Sequence, residues 1–157
     1  MSFPAMALSL RQPWAYFMLE LPPPFRKDIE NRKWCPEKRG EIWVHASKGL
    51  TKSEFYEACE FALNAGVPRE LLPSFDALPR GGIVGRWTIT DVMRPGGLAR
   101  IGTHARQGDR WHMPEQFGII VDHARAVPFV PCSGALGFWR VPADVLGLLT
   151  VNERRVP

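Results

Sequence analysis

The sequence predicts an α+β fold, a small curled sheet or barrel of about five to six strands with two main helices. Three observations carry that reading. Apolar runs of strand length recur from Ala5 to Val141, two segments bear helix-start signals, and the stretches between them are long enough to join antiparallel strands. A length of 157 residues suits one domain over residues 1–157, with a core from about residue 5 to 148. Hydrophobic content of 45% with 23% charged residues is ordinary for a globular chain and excludes disorder as the default state.

Each element has its own signal. Ala5 to Leu10 is an apolar run of strand length. Pro13 takes a favourable first helical position, WAYFMLEL follows as about two turns, and Pro22-Pro23-Pro24 ends it. Asp28 to Arg32 reads as extended, which places Asp28, Glu30 and Arg32 on one face. In EIWVHAS, Ile42, Val44 and Ala46 face one way and Glu41, Trp43, His45 and Ser47 the other. Thr51-Lys52-Ser53-Glu54 is a capping box, and Phe55, Ala58, Cys59, Ala62 and Leu63 form the apolar face of the helix behind it. Gly66 closes that helix, and Pro68 opens a shorter helical piece. Gly81-Gly82 leads into the longest strand, IVGRWTITDV. Residues 94–112, with four Arg and one Asp, read as a loop. Phe117 to Val127 and Ala135 to Val141 read as strands parted by a bend at VPFVPCSG, and Pro142 to Leu148 as a closing helical turn.

The net charge of +4 is concentrated. Between Arg26 and Lys52 stand eight Lys/Arg against four Asp/Glu, a window that alone carries +4. Trp14, Trp34 and Trp43 lie within or beside this window, and cations that hold phosphates beside rings that stack bases point to a nucleic-acid partner. No apolar run is long enough to span a bilayer, and MSFPAMALSL lacks the layout of a secretion signal. Cys35, Cys59 and Cys132 are odd in number and far apart, which implies free thiols in a reducing, cytoplasmic compartment. His45, His104, His112 and His123 lack metal-ligand spacing, so neither a metal nor another cofactor is expected.

The chemistry-bearing residues gather near the start. Ser9, Arg11, Gln12, Trp14, Lys27, Glu30 and Arg32 fall within one short stretch, a costly set of polar groups to assemble without a ligand. Trp43, Trp87 and Trp139 lie in strands and are expected in the core. Trp14, Trp34 and Trp111 are the candidates for base stacking. Trp111 closes the Arg-rich loop, where Arg100, Arg106 and Arg110 could follow a backbone; the alternative is a loop folded over the barrel mouth with Trp111 as its plug.

These residues resemble the ASCH domain, a branch of the PUA-like β-barrel superfamily. FRKDIENR supplies Lys27, Glu30 and Arg32 at the spacing of the family's G-x-K-x-x-E-x-R. LSLRQPWA, RGEIWVHASKG and PCSGALGFWRVP resemble its first strand and helix start, its R-G strand and its closing element, in the same order. Phe25 stands where the family usually has Gly, behind three prolines, which reshapes the approach to Lys27. The resemblance implies a PUA-like barrel and a cleft that binds RNA, DNA or a modified nucleobase. That cleft would be lined by Ser9, Arg11, Gln12, Trp14, Lys27, Glu30, Arg32, Arg39, His45, Lys48 and Trp111, with Arg32, Arg39 and Lys48 on phosphates.

Some small bacterial ASCH proteins hydrolyse the amide of N4-acetylated cytidine, with a lysine, a threonine and a downstream glutamate. Here Lys27 is kept, but Glu30 takes the threonine's place, so an enzyme would use a Glu30-activated water polarised by Lys27, with Glu115 as a second carboxylate. Other ASCH proteins are ribonucleases, in which role Lys27 and Arg32 would stabilise the phosphorane. A protein-interaction module in a transcription or translation assembly is the third reading of the basic surface.

Overall fold

The computed structural model describes residues 3–96 and 110–155. Residues 97–109, which hold Arg100 and Arg106 of the Arg-rich loop, lie outside the described residues. Six strands form one sheet: β1 (Met6–Leu10), β2 (Ile29–Arg32), β3 (Gly40–Ala46), β4 (Gly82–Met93), β5 (Phe117–Pro131) and β6 (Phe138–Arg140). Their order is β2-β5-β4-β3-β1-β6. Only β1 and β3 run parallel; the other neighbours are antiparallel. The described residues also form three helices, α1 (Trp14–Leu19), α2 (Lys52–Asn64) and α3 (Ala143–Arg155), with single 3₁₀ turns at Arg69–Leu71 and Phe75–Ala77. The sheet curls into a half-barrel, an α+β architecture as the sequence predicts.

Three apolar clusters hold it together. Leu8, Ile42, Val44, Ile89 and Ile119 line the inside of the curl, with Ala15 and Met18 of α1 set against them. Phe55, Ala58, Cys59 and Ala62 of α2 pack on Phe17 of α1 and on Ile29 and Ile120. On the other side of the sheet, Ala7, Trp43, Ile83 and Trp139 receive Val145 and Leu149 of α3. Both faces of β3 are therefore buried, so its two-residue alternation separates one core from another rather than core from water.

Several expectations change. Pro13 is the residue before α1 rather than its first helical position, and it has no side-chain cap. The Gln12 amide oxygen supplies that cap, accepting the Tyr16 N–H at 3.0 Å. At α2, Thr51 Oγ1 accepts the Glu54 N–H at 3.1 Å, but the Glu54 carboxylate leaves the capping box for Arg11, 2.6 Å away.

The bend expected at VPFVPCSG comes later, because β5 continues to Pro131. β2 pairs with β5 only at Phe117–Ile120, so beyond that point β5 has β4 as its single strand neighbour among the described residues. Proline's missing N–H is tolerated at such an edge. The closing turn is a full helix of 13 residues, reaching beyond the expected core boundary at 148. Glu153 fastens it to the sheet through Arg86, at 3.6 Å, and Arg125.

Candidate functional site

The sheet is open between its two edge strands, and side chains stitch that seam. Arg32, at the end of β2, donates from Nη2 to the Ser9 carbonyl of β1 at 2.8 Å. Beside it, Trp34 meets Phe138 of β6 edge-on, with centroids 5.7 Å apart. Glu30 lies between two cations, its Oε1 3.2 Å from Arg32 Nη2 and its Oε2 3.1 Å from Lys27 Nζ. The spacing of the K-x-x-E-x-R motif thus produces an ion triad, as the two-residue period of β2 requires for Glu30 and Arg32.

Lys27 is the enclosed end of that triad, with only 1% of its surface exposed. Its ammonium donates to the Ile29 carbonyl and to Glu30, approaches Met18 Sδ at 3.8 Å, and lies 5.4 Å from the Trp14 ring centroid. Burial pushes its pKa down, and the Glu30 carboxylate opposes that shift.

Alongside the seam opens a cleft of about 990 Å³. Its floor is Ser9 of β1 and His45 of β3; its walls are Arg11, Arg32, Ser47, Lys48, Arg80 and the 131–137 segment that joins β5 to β6. Among the described residues, four cations line it and no carboxylate does. Arg11 is shared with Glu54 and Arg32 with Glu30, whereas Lys48 and Arg80 make no ion pair among the described residues. The Arg80 guanidinium lies 5.3 Å from the Phe75 ring centroid. A smaller hollow shares Ser9, Arg11 and Arg32 and adds Trp14, Glu30, Asn31 and the half-exposed Trp34.

The floor is a defined hydrogen-bonded chain. His45 Nε2 lies 2.8 Å from the Cys132 carbonyl, which can only accept, so Nε2 carries the proton. In the neutral ring Nδ1 is then an acceptor, and the Ser9 hydroxyl, 3.0 Å away, donates to it. Ser9 Oγ in turn accepts the Trp139 indole N–H at 3.0 Å. Burial pushes the His45 pKa down, partly opposed by its bond to Cys132, which keeps the ring neutral near pH 7. Gly134 closes over this chain. A Cβ there would stand 2.5–2.7 Å from His45 Cε1, His45 Nδ1 and Ser9 Oγ, so only glycine brings the segment so close.

The cleft and hollow therefore unite Ser9, Arg11, Trp14, Glu30, Arg32, His45 and Lys48 of the expected site residues. Four others are placed elsewhere. Lys27 lies beneath Glu30 rather than on the wall. Gln12 is buried with its amide used at both ends, by the Tyr16 N–H and by the Pro79 carbonyl at 3.0 Å. Arg39 turns away toward Asp91, 3.8 Å distant, and the Pro36 and Lys38 carbonyls. Trp111 is fully buried against Phe17 and Phe61, with ring centroids at 5.7 and 6.0 Å. Glu115 is exposed and lines neither opening. Sequence reasoning missed Ser47, Arg80 and the residues of 131–137 as wall. The dipeptides Arg80-Gly81 and Ser133-Gly134 are the only local signal for them, and they read first as turns.

No protein-family model and no curated protein matches the chain. Among solved structures it is similar to ZmASCH from Zymomonas mobilis, in crystal structures of two mutants of that protein. The mutant with a tyrosine changed to phenylalanine gives a TM-score of 0.51 at 11% identity, covering 93% of this chain and 96% of the other. The mutant with a serine changed to alanine gives 0.50 at 10% identity, covering 93% and 94%. At such identity the likeness is one of fold, and the chain has the fold of an ASCH domain protein.

Proposed function

We propose that this protein binds nucleic acid, RNA foremost, in the cleft beside the seam. The observation that carries the reading is the set of four cations that, among the described residues, line an open cleft of about 990 Å³ with no carboxylate beside them. Phosphates run past Arg11, Arg32, Lys48 and Arg80, and a base, plain or modified, enters the hollow against Trp14 and Trp34. The Glu30 carboxylate, held by Lys27 and Arg32, lines that hollow and faces its edge. The test is fluorescence anisotropy of a labelled single-stranded RNA and its DNA counterpart against salt. Four phosphate contacts predict a log–log slope of about −3, from roughly 0.7 per contact on single strands. Lys48→Glu with Arg80→Glu should reduce affinity at least tenfold and flatten the slope. No binding by the wild type at low salt overturns the reading and leaves the protein-interaction module.

A hydrolytic reading has one supporting observation, the Ser9 hydroxyl aligned on the neutral His45 ring in the cleft floor. Mass spectrometry of N4-acetylcytidine and of a short RNA after incubation tests it. Turnover lost in Ser9→Ala assigns the floor; turnover lost in Lys27→Ala with the fold intact assigns the Lys27–Glu30 pair. Unchanged substrates with all proteins remove both.

A further inference from the structure

Leu136 stands on the rim of the cationic cleft with 98% of its surface exposed. No other large apolar side chain of the described residues is as open to water; Trp34, across the seam, is 39% exposed. The segment that carries Leu136 is anchored at both ends. On one side the Cys132 carbonyl receives His45 Nε2–H, the Cys132 N–H donates to the Gly81 carbonyl at 3.1 Å, and Gly134 lies hard against Ser9 and His45. On the other side Gly137 turns the chain at φ +64° into β6, where Phe138 packs on the inner core. The segment thus holds an aliphatic side chain out in water from a braced root, directly beside groups suited to phosphate.

We propose that Leu136 is a wedge that inserts between neighbouring bases of the bound strand, at the nucleotide whose phosphate occupies the cleft. The inference rests on the nucleic-acid reading of that cleft and adds a mode of recognition to it. Charge complementarity selects the occupant, since a wall whose described residues include four cations and no carboxylate favours a polyanion, and the leucine needs an apolar face within a few ångströms of it. Nucleobases supply that face next to their own phosphate, and apolar side chains placed between base steps unstack them. A wedge of this kind favours single strands, bulges and mismatches over a continuous duplex, because opening an intact stack costs free energy.

The experiment uses the full chain and a single-stranded RNA carrying 2-aminopurine, whose fluorescence rises on unstacking. Wild type should bind with a rise of several-fold. Leu136→Ala should bind about five- to tenfold more weakly and give little rise, with the salt slope unchanged because the phosphate contacts remain. Leu136→Met should restore both signals. A Leu136→Ala protein equal to wild type in affinity and fluorescence, while wild type binds RNA, overturns the wedge and leaves the cleft reading intact. Absence of RNA binding by wild type removes the cleft reading and the wedge with it. A fluorescence rise that survives in Leu136→Ala but falls in Trp34→Ala also overturns the proposal and transfers the unstacking role across the seam.

Discussion

Replacing Lys27 with methionine separates two roles that its motif position leaves combined. In the structure the ammonium touches no open space; it ties the Ile29 carbonyl and Glu30 beneath the seam. Removing it leaves that carbonyl without its donor, a loss of about 1.5–3 kcal/mol for a hydrogen bond to a charged group. Glu30 keeps Arg32 at 3.2 Å, so the penalty stays below the roughly 3–5 kcal/mol of a buried pair broken outright. The flexible methionine fills most of the volume and relieves the cost of burying the charge. The net expectation is a loss of about 2–3 kcal/mol, or roughly 5–10 °C in Tm at about 2–4 °C per kcal/mol for a domain of this size. Urea and thermal melts at pH 7 measure it, with RNA anisotropy recorded well below the variant's midpoint. Lys27→Met should be less stable yet bind RNA nearly as well as wild type while folded. A variant within about 0.5 kcal/mol of wild type that no longer binds would refute the reasoning and bring the ammonium into the site.

Other substitutions probe the floor and the core. Because burial holds His45 below its ordinary pKa of 6.5, the unfolded chain takes up a proton there that the folded ring resists. Stability should therefore be flat above about pH 7 and decline as pH falls through 6.5 toward the folded value; urea midpoints from about pH 5 to 8 should show this slope, reduced in His45→Gln. Gly134→Ala drives a Cβ into His45 and Ser9 and should cost about 1–3 kcal/mol in urea unfolding while weakening RNA binding. Gly147→Ala is its opposite, a helical position in α3 with nothing within 4 Å, and should stabilise by about 0.5–1 kcal/mol in the same assay. Trp111→Ala should cost about 3–5 kcal/mol, since the ring is wholly enclosed between Phe17 and Phe61.

The strands and the start of α2 were legible because local rules and tertiary packing agree there. Met6–Leu10, Gly40–Ala46 and Gly82–Met93 carry apolar runs that both faces of the sheet can bury, and Thr51 caps α2 as its sequence implies. The K-x-x-E-x-R spacing revealed a polar cluster, but not that its lysine would be sealed; burial of a charge depends on the partners that the fold delivers, here Ile29 and Glu30. The continuation of β5 through Pro128 and Pro131 was hidden for a similar reason, because only the short length of β2 turns that stretch into an edge. Trp111 beside an Arg-rich loop reads equally as a stacking platform or as a buried plug, and α2 covers it. Arg80 and Leu136 were missed as site residues because single residues in turns carry no periodicity; three-dimensional adjacency alone makes them a wall.

The pairing of Ala7 with Trp139 joins strands 132 positions apart, and Trp139 then holds Ser9 in the cleft floor. The cleft floor therefore has no local version. It comes into being only when β1, β3 and β6 have closed on one another, and fraying of β6 alone would erase it. A ligand seated there links the strands across which the fold closes, so it reads out global folding rather than a loop's posture. By mass action its occupancy should raise the unfolding free energy of the whole domain by about 2.7 kcal/mol at a hundredfold excess over Kd. For this molecule, thermal shift is thus a direct screen for whatever the cleft accepts.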